Sequence, residues 1–355
     1  MRRFAAPFAM GAMPLAWPGL GGAAQPLEPI EISAPRLERT RMDTPAAVDR
    51  VERHEIRQGR AGLTLSESLR RVPGLFFQNQ FNFAQGLRIS TRGFGARAPF
   101  GIRGIQLRVD GFPATLPDGQ AQTDLIDLAS ADHIEVLRGP AAVAYGNAAG
   151  GVIDVTTADG RSVTESPVAS AEAGGNDLRQ FGIRAGGSGG DNAYHVSLSH
   201  LDFGGFRDQS RVERARINAK ITHSLGPDTE LQTVITLLDN PESNDPGGLT
   251  AAELAADRDQ ATANALALDA GQTAEQQRIG LRWRHGDVAG GELTVRGFWS
   301  RREFEQQLPF PGNSLLGFER DFFGGGLEFT GSTALAGRSL DYVIGAEVDR
   351  QIDER

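Results

Sequence analysis

The second half of the chain alternates apolar and polar residues in many short runs. In one run, Ala215, Ile217 and Ala219 are separated by arginine and asparagine. Because successive side chains of a strand point to opposite faces, a period of two predicts strands with two different faces. This criterion predicts about nine strands. They lie near residues 168–175, 179–187, 192–203, 211–224, 229–239, 276–286, 291–305, 321–332 and 339–350.

The connections between these predicted strands alternate in length. Short turns are predicted at 187–190, 226–228 and 287–290, and longer loops at 204–210, 240–275 and 306–320. This alternation is typical of outer-membrane barrels and is not required of a soluble sandwich. Residues 161–355 are therefore predicted to belong to an antiparallel transmembrane β-barrel. The longest loop should carry a helix, because Thr250 and Glu253 have the spacing of a capping box.

Residues 46–160 have a different pattern, in which short helices and short strands are mixed. Thr64 and Glu67 form a second capping box, which predicts a helix over 65–71. Strands are predicted at 87–91, 105–109, 133–137 and 151–157, with a helical turn after Gly139-Pro140. The segment is predicted to be a small α+β domain.

The amino terminus has the pattern of an export signal. Arg2 and Arg3 precede the uncharged stretch 4–20, and small residues follow at 22–24. Residues 1–24 are therefore predicted to be a signal peptide, although three prolines make the apolar stretch atypical. The alternative is an N-terminal tail without that role.

Residues 25–45 read as an extended linker, because four prolines discourage helix. Within it, the segment 28–34 is short and β-prone at Ile30 and Ile32. Such a segment can add a strand to the sheet edge of a partner. The alternative is a plain spacer.

Three stretches of the middle domain resemble the plug of TonB-dependent outer-membrane receptors. They are LTLSESLRRVPGL at 63–75 with LRISTRGFG at 87–95, IQLRVDGFP at 105–113, and HIEVLRGP at 133–140 with YGNAAGGVI at 145–153. Both the order and the spacing of the three stretches agree with those of the family. The linker segment also resembles the family's TonB box, formed here by Glu28, Pro29, Ile30, Glu31, Ile32, Ser33 and Ala34.

The resemblance implies a receptor in the outer membrane of a Gram-negative bacterium. Its implied function is active uptake of a metal chelate, either a ferric siderophore or a ferric citrate-like complex. The implied partners are TonB of the inner-membrane complex, the chelate, and outer-membrane lipid and lipopolysaccharide. Two alternatives stay open: the same family with another cargo, such as cobalamin or a carbohydrate, and a secreted β-rich protein that transports nothing.

Two loops, 94–103 and 113–122, are the candidate ligand site, because apical plug loops of such receptors face outward. Arginines there can bind an anionic chelate by charge-assisted hydrogen bonds, and phenylalanines can pack on its organic shell. The alternative is that the loops are only solvated. The candidate residues are Phe94, Arg97, Phe100, Arg103, Asp118, Gln120 and Gln122.

The resemblance also implies how the plug is held. Plug arginines are expected to face acidic residues on the inner wall of the barrel. The alternative for a few of them is a solvated surface charge. These arginines are Arg88, Arg92, Arg97, Arg103, Arg108 and Arg138.

Composition removes several other classes of protein. The chain has no cysteine, which excludes disulfides and thiolate sites, and its six histidines have no zinc-like spacing. A net charge of −9 argues against a nucleic-acid partner. No Walker A loop occurs in the sequence. We therefore expect no enzyme activity, no cofactor and no bound metal.

Length limits how much of a barrel the chain can supply. Plugged transporters use roughly 22 strands. At about 10 residues per strand these need about 220 residues, more than follow position 160. The sequence therefore predicts a complete plug joined to the first part of a barrel, as in a fragment, an interrupted reading frame or one part of a split gene.

Overall fold

The computed structural model describes residues 31–32, 39–40, 46–161, 165–312 and 314–355. The predicted signal peptide and most of the linker lie outside the described residues. Two short strands within the linker, β1 (Glu31–Ile32) and β2 (Arg39–Thr40), pair antiparallel. None of the helices described is both long enough and apolar enough to span a bilayer.

Residues 46–161 form an α+β domain, which we call the plug. Its elements in chain order are β3 (Ala47–Glu52), α1 (Arg53–Arg57), α2 (Leu65–Leu69), β4 (Leu75–Gln78), β5 (Arg88–Thr91), β6 (Ile102–Arg103), β7 (Gln106–Val109), β8 (Phe112–Pro113), β9 (Gln120–Ala121), β10 (Ala131–Arg138) and β11 (Val152–Thr157). Five strands form one sheet in the order β3-β10-β11-β7-β8, and a 3-10 helix covers Pro140–Tyr145.

The plug has its own apolar core. Leu69, Leu107 and Ile134 are fully buried and belong to one cluster that joins α2 to the five-stranded sheet. The predicted capping box at the start of α2 is confirmed, because the Glu67 carboxylate accepts hydrogen bonds from the backbone N–H of Leu63 and of Thr64. The plug is thus a folded domain whose strands and helix follow the predicted order.

The rest of the chain forms one antiparallel sheet of nine strands in sequence order. Each predicted strand is confirmed, and most are longer than predicted. They are β12 (Glu165–Ala173), β13 (Arg179–Gly189), β14 (Asn192–Phe203), β15 (Val212–Gly226), β16 (Thr229–Asn244), β17 (Gly271–Val288), β18 (Gly291–Gln307), β19 (Leu315–Leu335) and β20 (Arg338–Glu354). The predicted fold class, an α+β plug followed by an antiparallel sheet, is confirmed.

The connections of this sheet differ strongly between its two ends. At one end, which we call the turn end, the strands are joined by tight turns at 190–191, 227–228, 289–290 and 336–337. At the opposite loop end the connections are 174–178, 204–211, 245–270 and 308–314. The longest one carries the predicted helix, α3 (Ala251–Ala256), and a second helix, α4 (Ala263–Ala267), that the sequence pattern did not predict.

The two faces of the sheet have opposite character. Ile183, Leu198 and Ile217 are exposed on the outer face, whereas Ser197 and Asn218 are buried on the inner face. The inner face packs against the plug and is polar. An apolar outer face with a polar inner face is the arrangement of outer-membrane barrel strands and the reverse of a soluble sheet.

Phe112 makes an apolar contact between the plug and the sheet. Its ring is 1% exposed and packs with Phe298, Phe322 and Val234 of the sheet. It lies over Gly280, where a β-carbon added to the glycine would be only 2.6 Å from the ring. Gly280 therefore provides a notch in β17 that admits the ring.

Polar contacts between the plug and the sheet are mostly the reverse of the expected arrangement. Lys220 and Arg302 of the sheet bind the plug carboxylates Asp110 and Asp124 at 2.5 and 2.7 Å. Another basic side chain of the sheet, Arg278, donates to the carbonyl of Pro113 at 3.1 Å.

The expectation that plug arginines face acidic wall residues is therefore wrong as a general rule. In the part of the chain that the structure describes, Arg108 does face an acidic residue of the sheet, Glu347, at 3.7 Å. Arg138 instead pairs with Asp49 inside the plug, and Arg88 and Arg103 bond to plug atoms. The sequence pattern missed this because basic residues also occupy the inner face of β15, β17 and β18.

Candidate functional site

A cavity of about 710 Å³ lies between the plug and the loop end of the sheet. We call it the loop-end cavity. Its plug side is formed by the loop 79–87 and by residues next to β6 and β9. Because Arg103 of β6 pairs with Gln120 of β9, this short ladder brings the two predicted ligand loops together at one wall.

Five of the seven predicted ligand residues line this cavity: Phe100, Arg103, Asp118, Gln120 and Gln122. Asp118 accepts a hydrogen bond from the backbone N–H of Gln120 at 2.9 Å, which closes the turn before β9.

The other two predicted residues, Phe94 and Arg97, are exposed and do not line the cavity. Phe94 lies beside Gly150, where a β-carbon added to the glycine would be 2.8 Å from the β-carbon of Phe94. The cavity therefore does not support a ligand role for Phe94 or Arg97.

The sheet supplies the other wall of the cavity, and its residues were not predicted as site residues. They include Arg214, Arg216, Gln272, Phe304, Gln306 and Arg320. The alternation of β15 was the signal that could have identified the first two, because it places both arginines on one face. A period of two does not say which face is the inner one.

Arg214 is the most unusual group in the cavity. Its side chain is 4% exposed, and its guanidinium lies 5.3 Å from the centre of the Phe83 ring. It makes no side-chain hydrogen bond and no ion pair with any residue that the structure describes. A buried guanidinium without a paired anion is costly, so Arg214 is a strong attractor for an anionic ligand.

Asp124 lies close by but is bound to other arginines. Its carboxylate accepts from Arg302 at 2.7 Å, and its backbone carbonyl accepts from Arg216 at 2.7 Å. Burial raises the pKa of Asp124, but the hydrogen bond and charge of Arg302, together with nearby Arg214 and Arg216, leave that pKa below its ordinary value. Asp124 is therefore ionised at neutral pH, and Arg302 is its hydrogen-bonded partner.

Aromatic rings form the opposite part of the cavity. Phe304 and Phe318 stack with their centres 4.9 Å apart. Arg320 lies 4.3 Å above the Phe318 ring and makes a bidentate pair with Asp353, with both bonds at 2.7 Å. The cavity thus combines an unpaired cation with flat apolar surfaces, which suits an anion that has an organic shell.

Buried hydrogen bonds hold the plug loop 79–87 to the sheet. Asp245 accepts from Asn82 at 3.0 Å and from Gln85 at 2.6 Å. Gln272 and Gln306 donate to the backbone carbonyls of this loop at 3.1 Å. The position of the plug apex is therefore linked to the longest loop-end connection, which begins at Asp245.

We also looked in the described ranges for a metal site and for the predicted TonB box. No group of three or more histidine or carboxylate side chains is arranged there to hold a metal ion. Of the predicted TonB box, only Glu31 and Ile32 are described, as strand β1. The remaining box residues lie outside the described ranges.

Comparison with known proteins agrees with this architecture. Residues 40–152 match the model of the TonB-dependent receptor plug domain. The unliganded ferric citrate transporter FecA is similar at 18% identity with a TM-score of 0.69, over 87% of this chain and 49% of FecA. The ferric-catecholate import receptor Fiu of E. coli K12 is similar at 16% identity with a TM-score of 0.68, over 90% of this chain and 51% of Fiu.

A third solved structure, FpvA of P. aeruginosa bound to a pyoverdine–iron complex, has 16% identity and a TM-score of 0.67, over 91% of this chain and 44% of FpvA. The chain thus spans about half the length of the structures that it matches. At these identities the structural likeness establishes the fold. Residues 40–152 are therefore a TonB-dependent receptor plug domain, and the chain shares the plug-and-sheet fold of TonB-dependent receptors.

Proposed function

We propose that the chain serves active uptake of an anionic metal chelate across the outer membrane of a Gram-negative bacterium. The cargo is a ferric siderophore or a ferric citrate-like complex. The observation that carries this proposal is Arg214, a buried cation without a paired anion in a cavity of suitable size. An uncharged cargo would leave its charge without a partner.

The chemistry of the cavity suits such a cargo. A ferric chelate presents carboxylate or phenolate oxygens, which accept charge-assisted hydrogen bonds from arginine. Phe304 and Phe318 offer apolar faces for the organic part of the chelate. The glutamine side chains, among them Gln120 and Gln122, can adapt by donating or accepting. FecA is a ferric citrate transporter, Fiu is a ferric-catecholate import receptor, and FpvA is bound to a pyoverdine–iron complex, which favours this cargo class.

The motive force in this proposal comes from a partner. Ligand capture would shift the box 28–34 toward the periplasm, where Ile30 and Ile32 would add a strand to TonB. Pulling by the energised inner-membrane complex would then remodel the plug. The chain performs no chemistry in this scheme. Its apolar outer face would contact lipid and lipopolysaccharide.

The domain assignment is part of the same proposal. Residues 1–24 are the signal peptide, 25–45 the linker with the TonB box, 46–160 the plug, and 161–355 the first part of a barrel. Phe94 and Arg97 stay candidates for ligand contact from outside the loop-end cavity.

Replacing Arg214 with glutamine is the direct test of the cavity. Losing a charge-assisted hydrogen bond of about 1.5–3 kcal/mol should weaken binding of ferric citrate by roughly 10- to 100-fold. Isothermal titration of the purified full chain with ferric citrate measures this, and circular dichroism verifies the fold. Arg214→Lys should restore part of the affinity.

Arg211→Gln is the matched control, because Arg211 is exposed and lies outside the cavity. It should bind as the wild type does. Equal affinity of the Arg214→Gln variant and the wild type would refute an anion site at Arg214. Preferential binding of cobalamin or a neutral carbohydrate would favour the alternative cargo.

A further inference from the structure

A second cavity of about 480 Å³ lies at the turn end, between the plug and the sheet. We call it the turn-end chamber. Phe112 and the rings around it lie between this chamber and the loop-end cavity. Arg278 marks the boundary, because it lies 5.7 Å from the centres of both the Phe112 and the Phe298 rings. The proposed cargo site described above does not include this chamber.

Most charges around the chamber are already paired. Lys220 binds Asp110, Arg284 lies 3.7 Å from Glu292, and Arg296 lies 3.8 Å from Glu328. In each of these pairs a positive charge lies next to a negative one, so the pair attracts a bound ion only weakly.

Two further acidic side chains, Asp154 and Asp341, line the chamber. Asp341 accepts a hydrogen bond from Ser332 at 2.7 Å. Burial raises the pKa of Asp154 above its ordinary value; the charge of Arg108 opposes this, and the charges of Glu135 and Asp110 add to it.

Arg282 is the cation without a partner. Its side chain is half-buried, lines the chamber, and makes no hydrogen bond or ion pair within the described residues. It reaches the plug at Gly111, where a β-carbon added to the glycine would lie 3.4 Å from Arg282 Nη1. The guanidinium of Arg282 thus lies at the plug surface, and its N–H groups are available to donate hydrogen bonds to a ligand. Hydroxyls of Thr156, Thr294 and Thr330 surround the same space.

From this arrangement we propose that the turn-end chamber is a second anion-binding site, in which Arg282 binds a carboxylate-bearing molecule. The chamber lies on the far side of Phe112 from the loop-end cavity, where it could hold cargo after the plug has moved. That the bound anion is the transported chelate rests on the proposed function, whereas the anion site itself does not.

The absence of cysteine allows a test that needs no knowledge of the cargo. In a Thr294→Cys variant of the full chain, the only thiol faces the chamber. It is treated with an anionic and with a cationic methanethiosulfonate reagent, and the two rate constants are compared. A Ser188→Cys variant, whose thiol is exposed at the turn end, provides the reference ratio.

The expected ratio of anionic to cationic rates at position 294 is about tenfold above the reference, the size of one unpaired charge at short range. Adding Arg282→Gln should remove this excess, and Arg282→Lys should keep it. Arg338→Gln, which removes an exposed arginine at the same end outside the chamber, should change nothing. An unchanged ratio with Arg282→Gln would overturn the proposal.

Citrate is the probe for carboxylate binding. It should slow modification at position 294 in the Arg282 background and have no effect with Arg282→Gln. Protection that persists in the Arg282→Gln variant would contradict the assignment. Because Arg214 lines the other cavity, adding Arg214→Gln should leave this protection intact. Failure of the chamber and failure of the loop-end cavity are therefore distinguishable.

Discussion

Replacing Asp110 with asparagine is expected to lower the free energy of unfolding by about 3–5 kcal/mol, the usual cost of leaving one partner of a buried ion pair uncompensated. Lys220 and Asp110 are both almost completely buried. Asparagine keeps the shape of the side chain and tolerates the positive φ of 53° at this position. The substitution therefore isolates the charge. Urea unfolding of the purified chain in detergent, followed by tryptophan fluorescence, measures the change.

Two further variants make this prediction sharper. Asp191→Asn alters an exposed turn residue and should change the free energy of unfolding by less than about 0.5 kcal/mol. Combining Asp110→Asn with Lys220→Met should recover much of the loss, because no unpaired charge then remains buried. If Asp110→Asn were as stable as Asp191→Asn, the pair would not hold the plug.

The same pair should persist over a wide range of pH. Burial raises the pKa of Asp110, but the charge of Lys220 and the hydrogen bonds from Lys220 and Thr157 bring that pKa below its ordinary value. A carboxylate with a lowered pKa contributes its stability above the pKa of the unfolded chain, about 3.9. That contribution is lost as the pH falls through the pKa of the folded state.

Replacing Gly280 with alanine should destabilise the chain by about 1–3 kcal/mol, the range for overpacking a well-packed core. The new methyl group would lie 2.6 Å from the Phe112 ring, so the ring or the strand must move. Gly297→Ala is the matched control in the neighbouring strand β18, because its nearest atom would be 3.9 Å away. Urea unfolding of both variants provides the comparison.

A double-mutant cycle shows whether the clash is with Phe112. Phe112→Ala alone should cost about 3–5 kcal/mol. Once the ring is gone, Gly280→Ala should add little, so the two effects should not be additive. Equal costs for Gly280→Ala and Gly297→Ala would mean that the notch at Gly280 does not position the plug.

Much of the fold could be predicted from local patterns. The capping boxes at Thr64 and Thr250 and the nine alternating strands each depend on neighbours in sequence, and each is present. The strands were predicted too short, because the pairing of β16 with β17 and of β18 with β19 extends beyond the residues that alternate between apolar and polar. The helix α4 was missed although Thr262 caps it, because five residues give no periodicity.

The site could be predicted only in part, because it forms between distant segments. The plug side followed from motif order, and β6 and β9 bring Arg103 and Gln120 together as neighbours. The sheet side depends on which face of β15 turns inward, and that is fixed by packing against the plug. Arg214 is separated from Phe83 by more than a hundred positions, so no local signal identifies their contact.

Cross-linking from the box is the most direct test of the proposal that this chain works through TonB. Because the chain has no cysteine, Ile32→Cys introduces a single thiol that can form a disulfide with a cysteine placed in the strand-pairing region of TonB. Ile32→Cys should cross-link in cells, and more strongly with ferric citrate present. Gln58→Cys, exposed on the plug outside the box, should not. Equal cross-linking of both variants, or none from Ile32→Cys in cells where another receptor cross-links, would contradict the account.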